Sequence, residues 1–255
     1  MATMKDIAKA AGVSHGTVSN VLNKKGNVSI EKIRLVEQAA KALGYQIDEQ
    51  ASRLRKGTSR IVYIILPNIE NSKYVDIYTG IVSALEKYGY YFRLALTNDM
   101  PYKEKRAIED AKAEKACAIL TVTCLKNPEK YYSSSVLGKT VVSFLDRCPA
   151  NDFCYFTFDY KQAAEMIGRH ISGIPTEKIK IITGSLQFDE NYRFKTGLLE
   201  AIPGLKESNF VEIQFIDTST EIYSLFSENQ PAEVLVTVNE QLAQRLMNAY
   251  HTVGI

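Results

Sequence analysis

The chain has 255 residues, 45% of them hydrophobic and 24% charged, with a mean hydropathy of -0.15. That composition excludes disordered, collagen-like and disulfide-dense classes. No run approaches the roughly 18 apolar residues of a membrane-spanning helix. Charge is unevenly divided. Residues 1–60 carry 11 Lys+Arg against 5 Asp+Glu, net +6, and the remainder carries 20 against 24, net -4. A small basic head on a mildly acidic body implies a polyanionic partner for the head alone. A solvated basic tail is the plainer alternative. The stretch Met4 to Gly12 alternates charged and small residues, unlike a secretory signal, so a cytoplasmic protein is expected.

In chain order, residues 1–44 read as three short helices. Thr3 caps the first, with Asp6 three residues on as an approximate capping box. Its apolar positions are Ile7, Ala8 and Ala11, and Gly12 stops it. Ser14 caps the second, with Val18, Val21 and Leu22 inward. Ser29 caps the third, with Ile33, Val36, Ala40 and Leu43 inward, and Gly44 ends it. Three narrow apolar faces close on one small core. Residues 45–60 read as a linker of weak helical tendency. From Ile61, apolar runs alternate with amphipathic helices. The runs are Ile61–Leu66, Tyr91–Leu96, Ala118–Val122, Thr140–Leu145, Phe153–Phe158, Ile179–Thr183, Val211–Ile216 and Val234–Val238. The helices include Ile77–Tyr88, Lys103–Ala113, Gln162–Ile171, Tyr192–Ala201 and Gln241–His251. This alternation predicts an α/β fold with parallel sheet buried on both faces, as one wide sheet or two smaller ones. No helix separates Thr140–Leu145 from Phe153–Phe158, so that link is the expected crossing between sheets.

Chemistry concentrates near the start. Ala8-Lys9-Ala10-Ala11-Gly12-Val13-Ser14, followed by Thr17-Val18-Ser19, has the helix, Gly-containing turn and helix of a helix-turn-helix. The second helix exposes His15, Gly16, Thr17, Ser19 and Asn20, and its N-terminal residues are those that enter a DNA major groove. A generic three-helix module is the competing reading. Gly138-Lys139-Thr140 imitates the end of a phosphate loop, but Ser133 stands where the first Gly is required. The three histidines, His15, His170 and His251, have no metal-ligand spacing. Cys117, Cys124, Cys148 and Cys154 contain no C-x-x-C and read as buried free thiols. Neither enzyme, metal nor cofactor is expected. A solute-binding receptor is the alternative from another class, and duplex-DNA binding discriminates the two.

The run Val13-Ser14-x-x-Thr17-Val18-Ser19-x-Val21-Leu22-Asn23, then Val28-Ser29, then Ala39-x-x-Leu43-Gly44-Tyr45, closely resembles the lactose-repressor (LacI/GalR) family of bacterial transcription factors. Gly89-Tyr90, Asp146-Arg147, Asp159, Gly184 and Asn239-Glu240 extend the resemblance more loosely. It implies a helix-turn-helix head at 1–46, a hinge at 47–59, and a two-lobed body like a periplasmic sugar receptor at 60–255. The lobes would divide near residue 150. The implied partners are palindromic operator DNA, a small effector of the sugar or sugar-derivative class, and a second copy of the chain. Carried over by position, His15, Gly16 and Asn20 would read bases, and Thr17, Ser19 and Asn23 would meet phosphates. The resemblance also assigns Lys5 and Ser14 of the head and Arg55 of the hinge to DNA contact. Ala51-Ser52-Arg53-Leu54 resembles the hinge helix, with Ala51 at the DNA and Leu54 wedged into the minor groove. Relatives carry Pro-Asn where this chain has Ile47-Asp48. Effector candidates at the strand ends are Asn71, Tyr74, Asp146, Asp159, Arg193, Asn239 and Glu240. Relatives often place Pro-Phe-Phe where this chain has Ser72-Lys73-Tyr74. They also continue beyond the position of Ile255, so a body lacking roughly its last quarter is expected.

Overall fold

The structure is a computed structural model that describes residues 2–22, 26, 28–45, 59–147, 153–213 and 232–253. The chain forms two compact units, Met1–Ser59 and Arg60–Ile255. In the first, α1 (Met4–Ala11), α2 (His15–Leu22) and α3 (Ile30–Ala42) enclose Ile7, Ala11, Val18, Val36 and Ala39. The capping box is formed: Thr3 Oγ1 accepts from Asp6 N–H and Asp6 Oδ2 accepts from Thr3 N–H. Gly12 ends α1 at φ 64°, a left-handed conformation that costs glycine little. Two expectations are corrected. Ser29 stands at the N-cap of α3, but its side chain makes no capping bond. Leu43 is 40% exposed, because the helix ends one residue earlier and turns it outward.

The second unit contains two wholly parallel sheets. Five strands make the first, in the order β2 (Tyr91–Leu96), β1 (Ile61–Leu66), β3 (Ala118–Thr121), β4 (Val141–Leu145), β5 (Cys154–Phe156). All six β1 residues are buried, and its side chains alternate between two cores as the pleat requires. Ile61, Tyr63 and Ile65 meet α5 (Pro101–Ala113) and the short helices α6 (Glu129–Tyr132) and α7 (Ser134–Leu137). Val62, Ile64 and Leu66 face α4 (Ser72–Glu86). Each fully buried Ile or Leu here contributes about 1.5–3 kcal/mol.

The second sheet has the order β7 (Phe210–Glu212), β6 (Ile179–Thr183), β8 (Val234–Thr237). Ile179 and Ile181 of β6 pack against α8 (Tyr160–His170) and α9 (Asp189–Ala201). Ile182 packs against α10 (Glu240–Val253) on the other face.

The crossing between sheets falls one strand later than expected. β5 pairs with β4, with Ser143 opposite Cys154, so the chain crosses at residues 157–159. Burial on both faces also fails for the edge strands. Tyr91 is 51% exposed in β2, and all three residues of β5 are exposed, Cys154 among them. Cys117 is half-buried and Cys124 buried; both are free thiols. Among the described residues, no helix is long and apolar enough to cross a membrane, and no three His, Cys, Asp or Glu converge as a metal site.

Candidate functional site

The first candidate surface is the N-terminal turn of α2. Ser14 Oγ accepts from Thr17 N–H at 3.1 Å and pairs with Thr17 Oγ1 at 2.9 Å, which fixes the helix start. Val18, fully buried three residues later, anchors the inner face. The remaining side of the turn presents His15, Gly16 and Asn20, all exposed, with Thr17 and Ser19 half-buried beside them. Lys5 is exposed on α1. Asn23, Ala51, Leu54 and Arg55 lie outside the described residues.

The second candidate site lies where the two sheets of the body meet. The C-terminal ends of the first sheet's strands supply one wall. The chain is strained there: Asn98, Asp99 and Asp146 have φ of 50°, 54° and 65°. Such values are rare outside glycine, cost Asn and Asp least, and cluster at functional sites. Asp146 is 2% exposed. It accepts from Lys73 Nζ at 2.5 Å, from Tyr160 Oη in a short bond, and distantly from Tyr74 Oη at 3.5 Å. Lys73 Nζ also donates to Tyr160 Oη at 3.0 Å, and the rings of Tyr74, Tyr160 and Phe158 stand 5.0, 5.6 and 5.9 Å from it. Burial pushes the Tyr74 and Tyr160 hydroxyls far above the ordinary tyrosine range, and the Asp146 charge adds to the effect. Both remain protonated donors.

Arg147 makes a second knot. Its guanidinium donates to Glu190 Oε1 at 2.9 Å, to both oxygens of Asp99 at 2.5 and 3.2 Å, and to the Thr123 carbonyl at 3.2 Å. The Phe188 ring lies 3.6 Å from it. Burial alone would weaken this cation. The Glu190 and Asp99 carboxylates outweigh that and hold its proton well above the usual arginine value. Two outer links also join the sheets. Ser72 Oγ donates to Glu240 at 2.6 Å, and Gln241 and Arg245 both donate to Glu70 at 2.9 Å.

Residues 3–48 match the family model described as "Bacterial regulatory proteins, lacI family". The chain is also 28% identical, over 257 aligned residues, to the ribose operon repressor of Halalkalibacterium halodurans, covering 100% of this chain and 76% of that protein. The head therefore matches the lacI family, and the likeness to a ribose operon repressor runs the length of the chain. Its fold agrees with solved LacI-type structures. The lac repressor dimer bound to operator and the anti-inducer ONPF superposes with a TM-score of 0.78 at 18% identity, covering 100% of this chain and 78% of that one. The Cra transcriptional dual regulator from Pseudomonas putida, in complex with fructose 1-phosphate, gives 0.68 at 19% identity, covering 76% and 74%. Both likenesses show the helix-turn-helix head or the periplasmic-binding-protein-like body as fold. The chain thus spans about three quarters of the relatives it matches along its length.

Within the body, Tyr74, Asp146 and Glu240 join the contacts between the sheets. Asn71, Asp159 and Asn239 spend a side-chain oxygen on helix starts, accepting from the N–H groups of Lys73, Gln162 and Leu242. Arg193 pairs with Asp189 one turn back on α9 and is about half exposed. Sequence reading did not assign Lys73, Asp99, Arg147, Tyr160, Phe188 or Glu190. The one available signal was the Asp146-Arg147 pair closing an apolar strand.

Proposed function

We propose that the chain is a sequence-specific DNA-binding repressor of carbohydrate-use genes. It works in the cytoplasm as a homodimer on palindromic operator DNA, without catalysis or a cofactor, under control of a small sugar or sugar derivative. The observation that carries the reading is α2: a capped helix, anchored by Val18, whose first turn presents His15, Gly16 and Asn20 from a head of net charge +6. That geometry suits entry into a major groove. Asn20 matches adenine N6 and N7. Lys5, Ser14, Thr17, Ser19, Asn23 and Arg55 are assigned to the DNA backbone, and Ala51 and Leu54 to the hinge in the minor groove. A relative's name, ribose operon repressor, supports the carbohydrate assignment. The crystallised lac repressor, a dimer bound to operator, supports the assembly.

The effector is assigned to the junction of the two sheets, around Tyr74, Asp146 and Glu240, with Asn71, Asp159, Arg193 and Asn239 at its margins. Binding there shifts the equilibrium between two lobe arrangements, and the heads read that shift. Selection of genomic duplex fragments with the whole chain tests the reading. The expected product is a two-fold symmetric site. Asn20→Ala should flatten the preference at one position per half-site, costing about 1–3 kcal/mol there. Failure to enrich any sequence over random duplex overturns the proposal.

A further inference from the structure

The junction of the sheets gathers five carboxylates, Glu70, Asp99, Asp146, Glu190 and Glu240, and three cations, Lys73, Arg147 and Arg245. Each of those cations is already held. Lys73 lies against Asp146, Arg147 between Asp99 and Glu190, and Arg245 against Glu70. An incoming phosphate would therefore meet committed cations and surplus negative charge. A second observation points to what the site lacks. Among the described residues, two buried side-chain atoms have no hydrogen-bond partner: Thr183 Oγ1 and Glu190 Oε2. Thr183 ends β6, and Glu190 lies in the first turn of the helix that follows, so both belong to the second sheet's wall. Glu190 is 6% exposed. A buried carboxylate oxygen without a donor costs free energy until something donates to it.

We propose that this site takes an unphosphorylated polyhydroxyl compound, a sugar or polyol, and that Glu190 sets that choice by accepting a ligand hydroxyl on Oε2. The proposal rests on the effector reading above and narrows it. Glu190 spends Oε1 on Arg147 and keeps Oε2 for the ligand. The Phe158 ring, 55% exposed beside Tyr160, offers an apolar face of the kind that packs against a sugar's C–H surface. Burial, reinforced by Asp146, already raises the Glu190 carboxyl above its ordinary value despite Arg147, so the site resists further negative charge.

Titration calorimetry on the whole chain tests this with ribose, fructose and sorbitol against ribose 5-phosphate and fructose 1-phosphate. At least one unphosphorylated compound should bind at least tenfold more tightly than either phosphate ester. Glu190→Gln should weaken it at least tenfold while the unfolding midpoint stays near that of the parent. Glu200→Gln, which alters an exposed pair with Lys161, should leave binding unchanged. Tighter binding of a phosphate ester, displaced by no neutral sugar, overturns this inference while leaving the effector reading standing. Binding of neither class at millimolar concentration overturns both. Unaltered affinity in Glu190→Gln removes Glu190 from the choice of ligand.

Discussion

Asp6 fixes the start of the head through a reciprocal pair of bonds with Thr3, and its titration records that role. The Thr3 hydroxyl and backbone N–H hold its carboxyl below the ordinary aspartate value of 3.8, and Lys9 adds a smaller effect in the same direction. A carboxylate with a depressed folded pKa adds stability above its unfolded pKa, and loses it as pH falls through the folded value. Amide exchange along α1 should therefore be faster in Asp6→Asn than in the parent at pH 6. The gap should shrink as the pH falls below about 3.8. A gap independent of pH would assign the effect to helix propensity and not to charge. Charge acts differently at Asp146. That residue is buried, sits at positive φ, and is tied to Lys73, Tyr160 and Tyr74, so local strain is offset by a network that fixes it.

Glycine sets how closely α8 and α9 approach. A Cβ on Gly197 would stand 2.8 Å from the Ala164 Cβ and 3.2 Å from the Lys161 backbone. A Cβ on Gly168 would stand 2.8 Å from the Ala201 Cβ. Backbone cannot yield as a flexible side chain does. Gly→Ala inside a helix gains about 1 kcal/mol in propensity, and overpacking costs about 1–3 kcal/mol. Gly197→Ala should thus lower the denaturant midpoint. Gly80→Ala, in α4 with no heavy atom within 4 Å of the added Cβ, should raise it. Shifts of the same sign in both would mean that the helix pair is not close-packed through glycine. Such tight contacts left little trace in the sequence, where Gly197 is only a helical glycine of low propensity. What the sequence displayed was periodicity. The run Ile61–Leu66 reads as a doubly buried strand and is one. Edge strands were misread because Tyr91–Leu96 carries the same apolar letters, and sheet order is not written in them. Glu104 shows a similar limit. It falls at helical spacing with Ala107, Ile108 and Ala111 on the buried face of α5. Its partners, Cys124 N–H, the Cys124 thiol and the Tyr132 hydroxyl, come from later segments. Tyr74 and Asp146 were legible as polar groups at strand ends. Lys73–Asp146 and Arg147–Glu190 were not, because no local pattern encodes a pairing across 73 or 43 positions.

Across the whole molecule, the two units carry opposite net charge, +5 for residues 1–59 (10 Lys+Arg against 5 Asp+Glu) and -3 for residues 60–255 (21 against 24), and their charges respond differently to salt. The inner pairs that tie the sheets together are sheltered: Arg147 and Glu190 side chains are each 7% exposed, and Asp146 is fully buried. Screening over a Debye length of about 8–10 Å acts chiefly on exposed charges. The basic side chains of the described head, Lys5 among them, are exposed. Raising salt should therefore weaken DNA binding long before it loosens the body. If each head neutralises about 4 phosphates, the dimer should show a log–log slope of affinity against salt of roughly -7. Lys5→Ala should make that slope shallower by about 1 per head and weaken all sequences alike, since a phosphate contact carries no base information. Lys161→Ala, on the body, should leave the slope unchanged. The measurement is operator affinity from about 50 to 200 mM salt for the three proteins. A slope near zero in the parent, or an equal change from the body substitution, would show that the basic head does not supply the electrostatic contact.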